Sequence, residues 1–351
     1  MKKEKIMKVT IKISSLIGAV ILLAGLQSCK NDLPTTPEKH YPILFSCDDI
    51  VTRSANIAAN IATKEDLQES GFHVWGAYLA GTPNADNHIE SGNVFSFDGH
   101  VAHDGTYNRY GFTDITEYWW VADYFFAAMY PDPIKNPGNG IETTIKATAN
   151  PDAEGLSLYG EIRYTDITKQ VDLIYTETAA RSRNTNGTVG PVDQNGNQLP
   201  TSVSLRFNHL LSKINIQIKS EIALTVESVT LNNISKGGII NSEQDWTPLG
   251  DDKINYTYNC EPAIDINALT TKPVPVTGEG ILVIPGSAPD FSITILTTEE
   301  EYTSELIPST NWEQGRQYTY TATIKQKNII FDEPEVAVWD KESATGSVII
   351  K

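Results

Sequence analysis

Cysteine, methionine and histidine are scarce in this sequence, whose 351 residues include three, three and six of them respectively. The cysteines stand at positions 29, 47 and 260, which is too few for a disulfide-rich scaffold or a four-cysteine zinc site. Cys47 and Cys260 could pair in an oxidising compartment, but two separate buried thiols are the favoured interpretation.

Motifs that accompany catalysis are also missing. The sequence contains no glycine-rich phosphate loop, no nucleophile elbow and no paired-cysteine zinc spacing. The best candidate for a metal site is His100-Val101-Ala102-His103-Asp104, but the flanking Gly99 and Gly105 favour a solvated turn. The other histidines stand singly and are expected to be structural: His40, His73, His88 and His209. The sequence therefore predicts a protein that is not an enzyme and that has neither a cofactor nor a metal.

Positive charge is in the minority, because 27 Lys and Arg face 44 Asp and Glu, giving a formal net charge of −17 at pH 7. Electrostatic attraction cannot bring so acidic a chain to nucleic acid or to anionic lipid. Long apolar runs are missing as well. The run over residues 13–26 is shorter than the ~20 residues that a membrane-spanning helix needs.

That apolar run belongs to the leader of an exported protein. Five lysines precede it, and it ends in Leu26-Gln27-Ser28-Cys29. A cationic start, a short apolar run and a small residue before the cut are typical of a secretory signal, predicted here over residues 1–28. The leucine and the serine resemble the lipobox of bacterial lipoproteins, although Gln27 is larger than usual. Cys29 is therefore the predicted lipidation site; the alternative is an ordinary signal followed by an accidental cysteine.

Lipid on Cys29 would make the chain a tethered protein of the cell outer membrane. Acyl chains bind a bilayer with ~0.8 kcal/mol per buried CH₂. Residues 29–40 contain Pro34 and Pro37 among polar residues, which predicts an extended, flexible tether between the lipid and the folded part.

From residue 41 onward the sequence predicts β-strands. Short runs rich in β-branched and aromatic residues are bounded by Gly, Pro, Asn or Asp. Strict alternation of apolar and polar residues along 214–218 and 318–324 marks half-buried strands. The predicted fold class is all-β, with two antiparallel β-sandwich domains in series. We place the amino-terminal domain at 41–221 and the carboxy-terminal domain, with its terminal strand, at 222–351.

Two shorter features interrupt the strands. Thr63 and Asp66 have capping-box spacing before Leu67, and Gly71 follows, so one short helix of a turn or two is expected. Residues 181–200 hold almost no large apolar side chain and many Asn and Gly, which indicates an exposed loop.

Seven segments, in order along the chain, carry a resemblance to a known family. They include Thr52-Arg53, Gly71-Phe72-His73-Val74, Tyr124-Phe125-Phe126, Val171-Asp172-Leu173-Ile174-Tyr175, Phe207-Asn208-His209-Leu210-Leu211, Leu282-Val283-Ile284-Pro285 and Trp312-Glu313-Gln314-Gly315. Behind a lipobox, this order resembles the fimbrillin family, the type V pilins and pilus-associated lipoproteins of Bacteroides-like bacteria.

The resemblance implies a fold and a sequence of export, processing and assembly steps. Fimbrillins have two transthyretin-like sandwiches and are exported as lipoproteins, after which an Arg-specific surface protease removes the first strand. The open groove then accepts a strand from another pilus subunit. Arg53 matches the processing arginine, so the resemblance implies a cut between Arg53 and Ser54, and a location on the outer membrane and in the fimbrium.

The carboxy-terminal segment is the candidate donor strand. Val336, Val338, Val348 and Ile350 could pair with another subunit. The alternative is that residues 332–351 fold back as the last strand of their own domain.

A second functional hypothesis is a surface glycan-binding lipoprotein of a nutrient-uptake system, which would also be acidic, tethered and β-rich. Trp119-Trp120 could then provide a sugar-stacking platform. Neighbours in a strand face opposite sides, so at most one of the two is expected to be exposed, and a core role is favoured.

Overall fold

The computed structural model describes most of the chain between residues 42 and 339. The described ranges are 42–50, 62–80, 93–106, 108–119, 122–134, 140–150, 155–166, 171–182, 202–243, 245–250, 252–278, 280–287, 290–307, 311–326 and 328–339. The predicted signal and tether, with Cys29, and the positions Arg53, Ser54, Val348 and Ile350 lie outside these ranges.

The described residues form 24 strands and one helix, which confirms the predicted all-β class. The elements of the first part are β1 (Leu44–Ile50), α1 (Lys64–Ser70), β2 (Phe72–Ala80), β3 (Asn93–Asp104), β4 (Arg109–Phe112), β5 (Ala122–Tyr130), β6 (Ile141–Thr143), β7 (Lys146–Asn150), β8 (Gly155–Tyr164), β9 (Ile174–Ser182) and β10 (Ser202–His209). The later strands are β11 (Ser212–Ser220), β12 (Leu224–Ser235), β13 (Gly237–Ile240), β14 (Trp246–Pro248), β15 (Lys253–Ile266), β16 (Val274–Pro275), β17 (Ile281–Val283), β18 (Gly286–Ser287), β19 (Ser292–Thr297), β20 (Glu301–Thr303), β21 (Asn311–Trp312), β22 (Arg316–Lys325), β23 (Asn328–Phe331) and β24 (Glu335–Val338).

The helix α1 forms where the sequence predicts it. The Thr63 hydroxyl oxygen accepts a hydrogen bond from the main-chain N–H of Asp66 at 3.1 Å, and the Asp66 carboxylate accepts one from the main-chain N–H of Thr63 at 2.7 Å. This reciprocal pair satisfies donors that a helix start leaves open. Gly71 ends the helix with φ 68° and donates its N–H to the carbonyl oxygen of Leu67 at 2.9 Å.

Seven strands of the amino-terminal part close on themselves in the order β1-β10-β9-β5-β2-β3-β4. We call this arrangement the closed sheet. Neighbouring strands run antiparallel, except β1 and β10, which are parallel. Aromatic side chains fill its interior: Phe45, Phe72, Tyr110, Trp119, Tyr124, Phe126 and Phe207. Closure pairs each strand on both sides, so the apolar face is buried without an open edge.

Two sheets of the carboxy-terminal part share one hydrophobic core. The first has the order β16-β11-β22-β23, with β17 paired to β11 and β24 paired to β22, and the second has the order β15-β12-β19-β20. The alternation predicted along 214–218 is confirmed, because Ile214, Ile216 and Ile218 are fully buried. They pack in one cluster with Val229 of β12 and Ile293 of β19, as the facing sides of a sandwich do.

A third sheet joins strands from both parts of the chain. Its order is β14-β13-β8-β6, with β7 also beside β8, and Gly237–Ile240 of β13 pair with residues 160–163 of β8. β10 lies in the closed sheet, whereas the next strand, β11, lies in the carboxy-terminal sandwich. The domain division between residues 221 and 222 stays a prediction.

Strand β3 corrects the expected turn around His100 and His103. Asp98-Gly99 lies inside β3, where Gly99 is opposite Val74, because pairing with β2 and then with β4 continues the strand past the glycine. His100 and His103 are three positions apart in a strand and so point to opposite sides. His100 is buried, whereas His103 is half-buried.

The two cysteines within the described ranges are not joined to each other. Cys47 and Cys260 are both buried thiols, and they belong to different hydrophobic cores. The thiol of Cys260 donates to the carbonyl oxygen of Val276 at 3.2 Å, and burial raises its pKa. The favoured interpretation as separate buried residues is confirmed.

We expect Gly71→Ala to lower the free energy of unfolding by about 2 kcal/mol. Gly71 has φ +68°, and a Cβ there would overlap the main-chain oxygen of Val101 in β3. Urea unfolding measures the loss. Gly105→Ala is the matched control, because a Cβ at that position meets nothing within 4 Å. Equal losses in the two variants would contradict the assignment.

Candidate strand-exchange site

Strand β1 closes the amino-terminal sheet by pairing unequally with its two neighbours. Six of its residues pair in parallel with Ser202–Phe207 of β10, with an irregularity between Cys47 and Asp49. Only two, Leu44 and Phe45, pair with β4. β1 is therefore held mainly along the β10 edge, and the β1–β4 seam is short.

Alternate side chains of the β1 segment point into the closed sheet. Ile43, Phe45 and Cys47 are 1%, 0% and 5% exposed. The Phe45 ring meets the rings of Phe112 and Phe126 edge-on, with centroid distances of 5.6 and 5.3 Å. Full burial of each large apolar side chain stabilises by ~1.5–3 kcal/mol, so this strand contributes a large share of the local core.

Tyr110 ties β4 to β1 where backbone pairing is short. The side chain is 1% exposed, and Tyr110 lies opposite Phe45 across the seam. Burial, followed by the interaction with Cys47, raises the pKa of Tyr110 well above its usual range. The phenol consequently stays neutral, and Tyr110 adds buried ring surface to the seam.

A surface groove of about 280 Å³ runs along this seam. Its lining comprises Leu44, Ala102, His103, Asp104, Arg109, Tyr110, Gly111, Phe112 and Thr113. Nε2 of His103 lies 3.1 Å from Oδ1 of Asn108 at its rim. Leu44 is the β1 residue in this lining, and the other lining residues belong to β3, β4 and the residues beside them.

The candidate donor residues Val336 and Val338 lie in β24. This strand pairs antiparallel with Arg316–Thr319 of β22, placing Val336 opposite Tyr318 and Val338 opposite Arg316. Both valines are half-buried, and Val336 packs against the carboxy-terminal core. The described part of the carboxy-terminal segment thus folds onto its own chain; whether it also donates to another subunit stays a prediction.

Trp339 directly follows β24, and its side chain is buried. Its ring stacks on the His209 imidazole, with centroids 3.7 Å apart and planes 9° from parallel. Nζ of Lys213 lies 5.2 Å from the indole centroid. The main-chain N–H of Trp339 donates to the carbonyl oxygen of Gly315 at 2.9 Å.

The His209 ring also contacts a buried carboxylate. Nδ1 of His209 lies 2.8 Å from Oδ2 of Asp172, and neither side chain is more than 2% exposed. The same Asp172 oxygen accepts a hydrogen bond from the main-chain N–H of Ala62 at 3.2 Å. Burial, with the charge of Asp172 as a second cause, raises the pKa of the neighbouring Tyr164 far above its usual range.

A second buried histidine–carboxylate cluster lies in the closed sheet. Asp132 places Oδ2 at 2.5 Å from Nδ1 of His100 and Oδ1 at 3.5 Å from Nδ1 of His73. Nε2 of His73 lies 3.2 Å from Asp98. These contacts offset the burial of Asp132, which is 1% exposed, and fit the structural role expected of the single histidines. Among the described residues, no group of three or more His, Cys, Asp or Glu is arranged to hold a metal ion.

Trp119 is not a sugar platform. It is fully buried and meets Tyr124 edge-on at 4.8 Å, which confirms the predicted core role. Trp120 lies outside the described residues. Across the described ranges, no helix combines the length and the apolarity that a membrane span requires.

Sequence reasoning missed the partners of His209. The sequence does not indicate that Asp172 and Trp339 contact His209, because both lie far from it along the chain and only the topology brings the three together. A tryptophan directly after an alternating terminal segment was the one local signal available.

The fold and the site together define an all-β protein with several sheets. Its first described strand closes one sheet, and its last described strand lies at the edge of another. A model of the fimbrillin-like family matches residues 69–339. The chain belongs to the fimbrillin-like family. This confirms the resemblance predicted from its motifs.

One of the similar solved structures, a fimbrial protein, shares the fold. A fimbrial protein from Bacteroides vulgatus is 15% identical, with a TM-score of 0.50 over 80% of this chain and 98% of that chain. A suggested cell adhesion protein from Bacteroides uniformis is 15% identical, with a TM-score of 0.43 over 86% of this chain and 98% of that one. Another from Parabacteroides distasonis is 9% identical, with a TM-score of 0.44 over 88% and 98%. No curated protein matches the sequence.

We expect Phe45→Ala to destabilise the chain by about 3 to 5 kcal/mol, because it empties the space between two aromatic rings. Thermal or urea unfolding gives the loss. Leu44→Ala is the control, since the neighbouring side chain is only half-buried and should cost less. A loss for Leu44→Ala as large as that for Phe45→Ala would show that β1 does not present Phe45 to the core.

Proposed function

We propose that this protein is a non-catalytic structural or adhesive subunit of a cell-surface pilus. In this proposal it is exported as a lipoprotein on Cys29, cut after Arg53 by an Arg-specific surface protease and assembled with other pilus subunits by strand exchange. Membership of the fimbrillin-like family supports the pilus role. The observation that supports the strand-exchange step is the position of β1, the first described strand, which completes a closed sheet.

The proposed cut falls where it would detach β1 without damaging the rest of the sheet. β1 ends at Ile50, three residues before Arg53, and the described chain resumes at Ala62 ahead of α1. A cut between Arg53 and Ser54 would leave β1 attached to the lipid anchor and to nothing else by covalent bonds. The anchor would deliver the subunit to the outer membrane, and the cut would release it into the fimbrium.

Loss of β1 would create a receptor for another strand. The β10 edge from Ser202 to Phe207 would lose its parallel partner, and the rings of Phe112 and Phe126 would lose Phe45. An unpaired edge beside an exposed apolar interior binds an added strand with alternating apolar residues, because that strand restores both the hydrogen bonds and the burial.

The carboxy-terminal segment is our proposed source of that strand. The half-buried Val336 and Val338 alternate with exposed residues along β24, and Val348 and Ile350 repeat the spacing further along the sequence. In this proposal the segment leaves β22 and inserts into the closed sheet of a neighbouring subunit.

Treatment of the purified precursor with an Arg-specific protease should remove the residues up to Arg53 and yield multimers. The new amino terminus should be Ser54, because that bond follows the separable strand. Intact-mass spectrometry identifies the cut, and gel electrophoresis with and without heating identifies the multimers.

Arg53→Gln is the matched control and should stay uncut at this position and monomeric. A protein that is cut after Arg53 yet stays monomeric, and that binds oligosaccharides, would instead support a surface glycan-binding lipoprotein. Cys29 found in the assembled material would remove the release step from the proposal.

The donor role is tested by Val348→Asp combined with Ile350→Asp. Carboxylates at these positions cannot enter an apolar interior without a large desolvation cost, so cutting should proceed but multimers should not form. Size-exclusion chromatography after the protease gives the result. Ser347→Asp is the control and should assemble normally; assembly by the double variant would exclude these two residues as donors.

A further inference from the structure

β24 is attached to its own chain by few backbone pairs and by one buried aromatic contact next to it. β24 has only four paired residues, two of which, Glu335 and Ala337, are exposed. Trp339 directly after it is 9% exposed and belongs to the core cluster that joins the two parts of the chain. Four pairs on a sheet edge open readily, whereas a buried indole adds a large apolar contact.

The seat of Trp339 is built from the end of β10. The Trp339 indole stacks on the His209 imidazole and lies near the ammonium group of Lys213. The main-chain N–H of Trp339 donates a hydrogen bond to the carbonyl oxygen of Gly315. An imidazole on a single strand end can rotate, and a parallel stack requires that its plane be fixed. The buried Asp172 carboxylate lies against this ring, with Oδ2 2.8 Å from Nδ1 of His209, and so restricts its rotation.

The same seat is connected to the amino-terminal segment by two separate links. β1 pairs with β10 as far as Phe207, two residues before His209. Asp172 accepts a hydrogen bond from Ala62, which is the first residue described after β1 and directly precedes the α1 cap Thr63. One link thus ends two residues before His209, and the other ends on its carboxylate neighbour Asp172.

We infer that Trp339, His209 and Asp172 form an autoinhibitory latch, which holds β24 on its own chain and which depends on the amino-terminal segment being in place. Asp172 is a positioning residue that acts on Trp339 through His209. Removal of β1 frees the β10 edge immediately before His209 and loosens the seat of Trp339. This inference rests on the proposed function only for what the released segment does next.

The test is hydrogen–deuterium exchange of the full chain, followed by mass spectrometry of peptides covering residues 335–339. Trp339→Ala, His209→Gln and Asp172→Asn should each accelerate exchange there by about tenfold or more, because each removes a contact that opposes local opening. Exchange in β12, which is in the other sheet of the sandwich, should stay unchanged. Ile330→Ala is the matched control: it is an exposed residue on β23, which pairs with the same β22, and it should leave both rates unchanged.

Asp172→Asn decides the coupling, since the change is nearly isosteric and lies away from the exchanging strand. Unchanged exchange over 335–339 in Asp172→Asn and in His209→Gln overturns the latch, even if Trp339→Ala accelerates it. Acceleration in β12 as well as in β24 also overturns it, because the effect is then general destabilisation. Should Asp172→Asn fail to fold, His209→Gln alone decides by the same two readouts.

The experiments distinguish failure of the latch from failure of the proposed function. Accelerated exchange at 335–339 without multimers after the Arg-specific cut would support the latch and contradict the assembly step. Multimers with unchanged exchange in the Asp172 and His209 variants would support assembly and overturn the latch.

Discussion

Phe45 fits edge-on between Phe112 and Phe126, and the strand that carries it lies between β4 and β10. The closed sheet is complete only while this strand is present. Its apolar interior, its paired edges and the parallel junction with β10 all depend on the same short segment. A strand whose removal leaves the rest of the chain continuous is the physical basis of both the stability of the uncut chain and its proposed ability to accept a replacement.

Features that arise within a few residues could be predicted from the sequence. The alternation over 214–218, the reciprocal Thr63–Asp66 cap and the glycine after α1 are local, and the structure confirms each. The turn expected around His100 and His103 was wrong, because contacts between distant residues decide the structure there. Pairing with β2 and β4 outweighs the local preference of Asp-Gly for a turn, and no neighbouring residue in the sequence indicates that pairing.

The candidate site depends on contacts between distant residues, and these could be predicted only in part. A first strand ahead of Arg53 is implied by the family resemblance, whereas the parallel pairing of that strand with β10 has no signal in the sequence. The association of Asp172, His209 and Trp339 follows from where β9, β10 and β24 end in space. A lone histidine has no sequence mark that distinguishes a stacking partner from an ordinary core residue, so burial and distance had to reveal it.

The pairing of β1 with β10 also bears on how long β1 would stay bound after a cut at Arg53. A cut after Arg53 breaks one covalent bond but none of the hydrogen bonds or ring contacts of β1, so the nicked chain keeps its shape until the strand dissociates. Dissociation requires six parallel pairs and three inward side chains to open together, which makes it slow compared with diffusion. In the proposed assembly a nicked subunit would therefore persist for a time, and the release of β1, rather than the cut itself, would set the pace of filament growth.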